Sequence, residues 1–532
     1  MLKMEKPQIC FLQETKCNSS TLETILSKAW PGCQSVAVDA SGASGGLAIV
    51  WNSQALALSD FHASHNLIQA AFHIVGTNIH GNLSNVYFPQ EAREKIALIH
   101  TLEALNFNRR YPLWIVVGDF NMITKLEEKI GGRNKLEQEN THFKDFIQNA
   151  SLIDMHYCNG TSTWSNRRAG KHQIASKLDR FLISDNSIHL GGDFSAAILP
   201  HSGSDQWPIA LQWQRPSNTT RRPFRFEEFW FTHPSLKDFV HSTWTSFSPP
   251  EGSKMFQFQQ KLKHLKFCLK HWNRETLGNI FKVQHDLQTA LADLQQETST
   301  GGHTERTLEQ EQYIHNQLEE RRKQEEIYWK QKSRIRLLKE GERNTKFFHR
   351  TTIQRRMRNN IPYIQKSGGE KVEQHEEIEK EFLNHFKQVH QEPEINRRPA
   401  IERIIHNVPK LITTEHNELL LRPVQIQEVD IAMAQLKEGK APGPDDFTTT
   451  FFHKFWELIK MEVWEVVEES RAYHWLLPSL KSTFIALIPK KEDSIKPDKF
   501  RPIALCNAIY KFISKVIANR LKPLLPMLIS QE

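Results

Sequence analysis

The chain has 532 residues, 39% of them hydrophobic, and a formal net charge of +8 at pH 7. This length exceeds a single hydrophobic core, so we expect about two to four domains. No stretch approaches the ~20 apolar residues of a membrane span, and no secretory signal opens the chain. The six cysteines form no C-x-x-C pair, which favours free thiols in a reducing compartment. We expect a nuclear or cytoplasmic protein without a membrane partner.

Residues 1–213 combine short apolar runs with amphipathic segments, a pattern that predicts an α/β domain. The predicted helices are Ser20–Ala29, Glu91–Leu105 and Asn140–Asn149. The predicted strands are rich in β-branched and aromatic residues and are Ile9–Leu12, Gly45–Trp51, Leu67–Val75, Leu83–Tyr87, Leu113–Gly118, Ser162–Trp164, Lys177–Ile183 and Ile209–Trp213. The polar, turn-rich segment Gln214–Pro223 predicts the end of this domain.

The apolar spacing then becomes helical, and we predict a mostly α-helical connector over residues 214–400. Apolar steps of three and four between Phe258 and Leu294 are typical of helical hairpins. Gly301-Gly302 predicts a break before a second helical region at about 305–352. The segment Gln391–Pro399 predicts another linker, and residues 401–532 form a last, helical unit.

One segment of the connector is strongly basic. Only Glu340 and Glu342 oppose its nine cationic residues, which are Arg334, Arg336, Lys339, Arg343, Lys346, Arg350, Arg355, Arg356 and Arg358. A solvated helix face is one interpretation. Aromatic residues are interleaved, and so steep an imbalance favours contact with a phosphate backbone, because neutralised phosphates release counterions. We therefore predict a nucleic-acid surface at residues 334–358.

Short polar motifs stand at or near the ends of the predicted strands. They are Gln13-Glu14-Thr15, Asn85-Val86-Tyr87, Gly118-Asp119-Phe120-Asn121, Leu178-Asp179 and Ser204-Asp205. Any one acid is more often a turn or cap residue. Rigid strands present such side chains at open ends, and together these groups suit a hard cation and a phosphate. The set predicts metal-assisted phosphodiester hydrolysis.

The residue types suggest separate roles. Glu14 is the candidate ligand of Mg²⁺ or Mn²⁺, and Asp119 the group that orients and deprotonates water. Asn121 would bind a phosphate oxygen or align Asp119, and Tyr87 would hydrogen-bond the phosphate. Asp179 and Asp205 would add further negative charge to the site, for metal binding or for proton transfer.

These motifs resemble the endonuclease/exonuclease/phosphatase superfamily, and most of all the nuclease of plant LINE-type (non-LTR) retrotransposon polyproteins. The matching segments are QET at 13–15, NVYFP at 85–89, GDFN at 118–121, LDRFLIS at 178–184 and SDQWPI at 204–209. The resemblance implies a four-layer α/β sandwich that nicks DNA with Mg²⁺. It implies that Glu14 is a metal ligand, that Tyr87 contacts the phosphate, and that Asp119 and Asn121 activate the water. It also implies that Asp179 is a second catalytic acid and that Asp205 is both a metal ligand and the partner of a catalytic His.

The chain departs from this family at two points. The family begins with a strand that ends in Asn, some tens of residues before the Gln-Glu motif, and we expect that strand to be missing, at a cost in stability. Gln206 stands where the family has His. An amide carries no imidazolium charge and transfers no proton near neutral pH. Loss of a catalytic group typically lowers a rate by ~10²–10⁴, so we expect impaired nicking.

Residues 425–532 resemble the start of a LINE-type reverse transcriptase. The matching segments are KAPGPDD at 440–446, with Asp446 in place of the usual Gly, IPK at 488–490, RPI at 501–503 and KVIANRLK at 515–522. The resemblance implies an incomplete fingers region in which Lys490 and Arg501 meet the incoming triphosphate. We expect its metal-binding palm to be absent, so this truncated polyprotein should not copy RNA.

Two other functions stay open. A non-catalytic nucleic-acid-binding remnant would depend on the basic segment 334–358 alone. A small-molecule phosphatase would use the same fold, although the polymerase-like motifs argue against it. The expected partners are DNA and RNA, and the expected cofactor is the metal alone.

Overall fold

The computed structural model describes residues 5–42, 45–108, 110–132, 135–185, 187, 193–200, 204–214, 224–301, 304–335, 345–366, 368–391, 397–406, 409–491 and 494–529. The chain forms two compact units. The first comprises Met1–Thr219, His349–Gln388 and Ile488–Arg501, and the second Thr220–Phe348, Val389–Leu487 and Pro502–Glu532. The division into three domains at residues 213 and 400 therefore stays a prediction.

The strands are β1 (Ile9–Gln13), β2 (Gln34–Val38), β3 (Leu47–Trp51), β4 (Leu56–Ser64), β5 (Leu67–Ile74), β6 (His80–Tyr87), β7 (Trp114–Asp119), β8 (Lys129–Ile130), β9 (Leu152–Asp154), β10 (Trp164–Ser165), β11 (Ala175–Ser176), β12 (Asp179–Ser184), β13 (Asp193–Ile198), β14 (Ile209–Gln214), β15 (Ile364–Gln365), β16 (Lys371–Val372), β17 (Thr483–Pro489) and β18 (Phe500–Cys506).

The helices are α1 (Ser19–Ala29), α2 (Ala92–Asn108), α3 (Gln138–Asn149), α4 (Leu236–Ser246), α5 (Lys254–Trp272), α6 (Ile280–Gly301), α7 (Glu305–Ser333), α8 (Thr345–Asn359), α9 (His375–His390), α10 (Arg398–His406), α11 (Thr414–Leu421), α12 (Ile426–Gln435), α13 (Thr449–Lys454), α14 (Trp456–Tyr473), α15 (Pro478–Lys481), α16 (Ala508–Leu521) and α17 (Leu525–Leu528).

A mixed six-stranded sheet in the order β4-β5-β6-β7-β12-β9 is the centre of the first unit. Only β6 and β7 run parallel within it. Smaller sheets have the orders β1-β3-β2, β10-β11-β8 and β13-β14. The sheet is mixed because the β6–β7 connection passes through α2, whereas its other pairs are antiparallel.

Successive side chains of β7 point to opposite faces of the central sheet, and both faces are buried. Trp114 and Val116 pack with α2 and α3 on one face. Val117 packs on the other face with residues of β1, β13 and β14. Helix α1, capped by the Asn18 side chain, covers the far side of β3. Helices therefore lie on the outer faces of the central sheet and of β3, whereas the complete four-layer sandwich stays a prediction.

Helices form most of the second unit. The amphipathic faces of α4 and α5 share one core with α12, α13, α14 and α16. A typical contact is the Trp244 indole, which donates to Glu462 Oε1 over 3.1 Å. The predicted connector therefore contributes to the same core as residues 424–516. No described helix is long and apolar enough to cross a membrane. All six cysteines are free thiols.

Candidate active site

Three polar residues lie side by side at one end of the central sheet. Tyr87 ends β6 and pairs in register with Asp119, which ends β7. Asp119 pairs in turn with Asp179, the first residue of β12. Paired residues on neighbouring strands point to the same face. That face packs against the smaller sheets, because Val117 and Phe181, two positions further along their strands, lie in that core.

The residue before Asp119 has to be glycine. Gly118 has a φ of 148°, and a Cβ there would lie 1.8 Å from the carbonyl oxygen of Val86 on the neighbouring strand. No side chain fits against backbone at that separation. The Gly-Asp motif thus follows from the close pairing of β6 with β7, and this pairing fixes where Asp119 lies.

Both carboxylate oxygens of Asp119 accept hydrogen bonds. The backbone N–H of Asn121 donates to Oδ1 over 2.9 Å, and the Gln206 side chain donates to Oδ2 over 2.7 Å. Burial raises the pKa of Asp119; these donors oppose the rise, and the charges of Glu14 and Asp205 add to it. The fold therefore brings Glu14, Asp119 and Asp205 close enough together for their charges to interact.

Asp179 is a buried acid in which one carboxylate oxygen has no donor. Its carboxylate has a side-chain hydrogen bond with Thr163, whose Oγ1 also accepts the Asp179 backbone N–H over 3.0 Å. Among the residues that the structure describes, Oδ2 of Asp179 has no hydrogen-bond partner. Burial, and then the neighbouring Asp119, holds the pKa of Asp179 well above its ordinary value.

Glu14 follows β1 at the same end of the unit. Its φ of 51° belongs to a turn in which the Thr15 backbone N–H donates to the Gly46 carbonyl over 3.2 Å. Tyr87 Oη donates to Glu14 Oε1 over 2.5 Å, and Lys16 Nζ lies 3.5 Å from Oε2. Burial, and then the bond to Glu14, raises the pKa of Tyr87. The phenol is therefore a hydrogen-bond donor at neutral pH.

Gln13 and Asn85, two other residues of these motifs, connect the central sheet to the β1-β3-β2 sheet. Gln13 Nε2 donates to Asn85 Oδ1 over 2.6 Å. The Asn85 amide donates to the carbonyl oxygens of Leu12 and Ala48 over 3.1 and 2.9 Å. Asn85 is fully buried. These amides hold β1 and β3 against β6, which places Glu14 beside Tyr87.

Asn121 also has a left-handed backbone, with a φ of 49°. Its side-chain amide donates to the Phe88 carbonyl over 2.8 Å, so it is held by backbone beside Asp119. The buried Lys95 donates to the Asn121 carbonyl over 3.1 Å and lies 3.7 Å from Glu139. Lys95 was missed in the sequence because it lies on the apolar face of an ordinary amphipathic helix.

Residues at the short strand β10 form hydrogen bonds with both Asp179 and Asp205. Thr163, just before it, contacts Asp179, and the Trp164 indole donates to Asp205 Oδ2 over 3.1 Å. Trp164 also forms a β-bridge with Gln206. The sequence indicated a strand here without a role, since neither contact shows in a local pattern.

A buried charge cluster lies on the opposite face of β12. Arg180 is fully buried and donates to Glu128 Oε2 over 2.6 Å and to Asp154. Lys177 Nζ lies 2.8 Å from Asp154 Oδ1. Burial alone would raise the pKa of both acids, but the charge of Arg180 holds each below its ordinary value. Two cations thus balance two anions behind the candidate site, a set that the sequence analysis missed.

The donors at this end of the unit fit a hard cation that takes few protein ligands. Within the described parts of the chain, no group of three or more His, Cys, Asp or Glu residues could hold a metal ion. Mg²⁺ commonly uses one or two carboxylates and completes its shell with water and phosphate. Glu14 and Asp205 are exposed carboxylates that both act on Asp119, which satisfies this smaller requirement.

The basic segment is only partly described. Arg336, Lys339 and Arg343 lie outside the described residues, as does the Lys346 side chain. Arg350 donates to the carbonyl oxygens of Gln148 and Ile147 over 2.9 and 3.2 Å, at the C-terminal end of α3. A cation there complements the helix dipole. Arg350 therefore caps a helix, whereas a phosphate contact at the exposed Arg334, Arg355 and Arg356 stays a prediction.

The polymerase-like motifs form a strand pair and a loop. Lys490 and Arg501 are exposed at the β17–β18 pair, and Lys490 Nζ donates to the Asp498 carbonyl over 2.8 Å. Asp446 has a φ of 68°, a conformation that favours glycine, which accounts for the glycine expected there. Lys266 Nζ lies 2.5 Å from its carboxylate. Burial raises the pKa of the adjacent Asp445 to about 7.

Sequence comparison relates most of the chain to known proteins. Residues 1–206 match the model of the Endonuclease/Exonuclease/phosphatase family. Over 465 residues, or 85% of this chain, the sequence is 23% identical to the Transposon TX1 uncharacterized 149 kDa protein of Xenopus laevis. The chain spans 35% of the length of that relative. Residues 1–206, which contain the mixed central sheet, are thus similar to that family, and a largely helical region follows them.

Solved structures with similar folds include two nucleases. The AP endonuclease LMAP from Leishmania major is 16% identical, with 41% of this chain and 80% of that chain covered at a TM-score of 0.32. The endonuclease domain of TRAS1, a telomere-specific non-LTR retrotransposon, is 14% identical, with 41% and 90% covered at a TM-score of 0.31.

Proposed function

We propose that the first unit is a retrotransposon-type DNA endonuclease that depends on Mg²⁺ or Mn²⁺ and works at a reduced rate. The observation that carries this proposal is the row of Tyr87, Asp119 and Asp179 across three strands, with Glu14 and Asp205 beside it. The family match of residues 1–206 and the relation to a transposon protein support it. DNA as substrate favours a nuclear or cytosolic place of action.

Glu14 and Asp205 would hold the metal, which would offset the charge that develops on the phosphate oxygens. Asp119 would orient the attacking water and accept its proton, with its carboxylate aligned by Asn121 and Gln206. Tyr87 would donate a hydrogen bond to the phosphate, since its raised pKa keeps it protonated.

Gln206 is the reason for proposing a reduced rate. Its neutral amide occupies the position of an imidazole and donates to Asp119. An amide offers no proton in the neutral range, so one proton-transfer group is missing. Gln206→His should raise the nicking rate by roughly tenfold or more. An unchanged rate in that variant would contradict the proposed impairment.

The activity is tested by incubating the full chain with supercoiled plasmid and Mg²⁺. We expect slow formation of nicked circles that stops with EDTA and with Asp119→Asn. The matched control is Asp60→Asn, because Asp60 is exposed and lies 3.8 Å from Arg110. Nicking that survives Asp119→Asn in a folded protein would refute the proposal.

A second candidate is a nucleic-acid-binding protein without catalysis, which Arg334, Arg355 and Arg356 favour because they are exposed cations close in sequence. The expected behaviour is binding of DNA or RNA that weakens steeply with salt. Binding that ignores ionic strength would exclude this candidate.

We also propose that the C-terminal segment is part of a reverse transcriptase that binds nucleic acid or triphosphate through Lys490 and Arg501. Its loop acids are engaged elsewhere: Asp445 is enclosed beside α16, and Asp446 is paired with Lys266. Because we expect the metal-binding palm to be absent, we expect no nucleotide incorporation by this chain on a primed RNA template. Metal-dependent primer extension would contradict that expectation.

A further inference from the structure

Two buried acids of the candidate site face each other on neighbouring strands. Asp119 and Asp179 are register partners on β7 and β12, and they are 2% and 7% exposed. Directly paired residues on antiparallel strands have Cβ atoms ~4.5–5.5 Å apart. Two ionised carboxylates at that separation, away from water, repel each other strongly. The pair therefore requires either a proton or a cation.

No cation in the described part of the chain balances the charge of the pair fully. The charge of Arg180 lowers the pKa of Asp179, but less than burial and Asp119 raise it, because its guanidinium is bonded to Glu128 and Asp154 on the opposite face. Among the described residues, no Lys or Arg side chain forms an ion pair with Asp119 or Asp179. The groups that face the pair from other elements are neutral or acidic, namely Gln206, Thr163, Tyr157, Tyr87, Glu14 and Asp205. When no metal ion is bound, a proton therefore supplies the balancing charge.

Hydrogen bonds decide which acid carries that proton. Asp119 accepts one donor on each oxygen, from the Asn121 backbone and the Gln206 amide. The Asp179 carboxylate has hydrogen bonds with the Thr163 side chain and with its own backbone N–H, but its Oδ2 is buried without a partner among the described residues. Donors stabilise a charged carboxylate, and a buried oxygen without a donor destabilises it. The charge therefore belongs on Asp119.

We propose that Asp119 and Asp179 share a single proton at neutral pH, and that Asp179 carries it. Burial and the neighbouring acid both raise the pKa of Asp179, in agreement with this assignment. A site that lacks an imidazole at residue 206 would thus still hold a proton next to a carboxylate base.

The consequence for catalysis rests on the proposed nuclease function. As the water oxygen forms its bond to phosphorus, the water proton passes to Asp119. The bond to the leaving oxygen breaks with its electron pair on that oxygen, which takes the proton of Asp179. Transfer of the new proton from Asp119 to Asp179 restores the pair, so no other acid or base is consumed.

Infrared spectroscopy of the full chain, labelled with ¹³C on its aspartate carboxyl groups and kept in EDTA, tests the protonation directly. We expect a carboxylic-acid C=O band at pH 7 that is stronger in wild type than in Asp179→Asn, where the partly protonated Asp445 still contributes. In Asp119→Asn the Asp179 band should be lost at a lower pH than in wild type, because burial still raises the pKa of Asp179 but the repulsion from Asp119 is gone. The control variant Asp60→Asn should retain the band. A band equally strong in wild type and Asp179→Asn would overturn the proposal.

Thermal unfolding gives a second readout that needs no activity. A raised folded-state pKa favours folding most below the unfolded pKa of ~3.9, and this advantage is lost as the pH rises toward the folded value. The asparagine in Asp179→Asn does not titrate, so the melting temperature of this variant should rise relative to wild type between pH 5 and 8. A difference that stays constant with pH would contradict the shared proton. Absence of nicking alone would count against the proposed function and leave this result intact.

Discussion

The side-chain amide of Gln206 donates a hydrogen bond to Oδ2 of Asp119 over 2.7 Å. Gln206→Ala leaves this buried carboxylate one donor short, a loss of about 1–3 kcal/mol for the charged form. We expect nicking at neutral pH to fall roughly tenfold and the optimum to move to higher pH, because Asp119 then ionises less readily. Initial rates between pH 6 and 9 measure this, with Gln8→Ala as an exposed control. A pH profile identical to that of wild type would show that the amide does not tune Asp119.

Arg180 should stabilise the strand that contains Asp179, because it lies on the opposite face of β12. Its guanidinium is the common partner of Glu128 and Asp154, so Arg180→Met leaves buried anions without a counter-charge. Removing one member of a buried pair typically destabilises a protein by about 3–5 kcal/mol. We expect the first unit of the variant to unfold at clearly lower urea concentration, as followed by hydrogen exchange of β7 and β12 amides. Lys16→Met, which removes an exposed pair, should leave exchange there unchanged.

The basic segment should divide into structural and binding residues. Arg350→Met removes two bonds to the end of α3, and we expect a loss of stability of about 1–2 kcal/mol without a change in the salt dependence of DNA binding. The double variant Arg355→Glu and Arg356→Glu should instead reduce the slope of log K against log salt by about 2 or more. Fluorescence anisotropy of a labelled duplex at several salt concentrations measures both. Equal slopes in the two variants would contradict this division.

Trp164 should act on metal binding through Asp205. Its indole N–H is bonded to Oδ2, and Trp164→Phe removes that bond while keeping an aromatic ring. We expect the Kd for Mn²⁺, followed by electron paramagnetic resonance, to rise several-fold with an unchanged melting temperature. Trp213→Phe is the matched control, because Trp213 packs against Phe194 on the β13–β14 pair. An equal effect of both substitutions would indicate a general loss of packing.

Local patterns predicted strands with dense apolar runs and missed strands of mixed sequence. The runs of β3, β5 and β7 are dense in buried apolar residues. Strand β4 is mostly exposed and includes Ser59, Asp60 and His62, so its sequence resembles a loop although it pairs with β5. Strands β2 and β13 were missed as well, because their sequences, QSVAV and DFSAAI, mix polar and small residues with few large apolar ones.

The site was predictable where a motif ends a strand and unpredictable where a contact spans the fold. Tyr87 and Asp119 follow apolar runs, and the register of β6 and β7 brings them together. The bond from Trp164 to Asp205 joins residues 41 positions apart, and it exists only because β10 bridges to Gln206. Arg350 belongs to a basic run by composition, yet its partners lie some 200 positions earlier, at the end of α3.

The central claim is that water, activated at Asp119, attacks a phosphodiester bond. It is tested most directly by letting the full chain cleave a short duplex in H₂¹⁸O with Mg²⁺ and weighing the products by mass spectrometry. The account predicts one ¹⁸O atom on the terminal phosphate of each cleaved strand, and no cleavage with Asp119→Asn. Products without ¹⁸O, or labelled products formed equally well by Asp119→Asn, would contradict it.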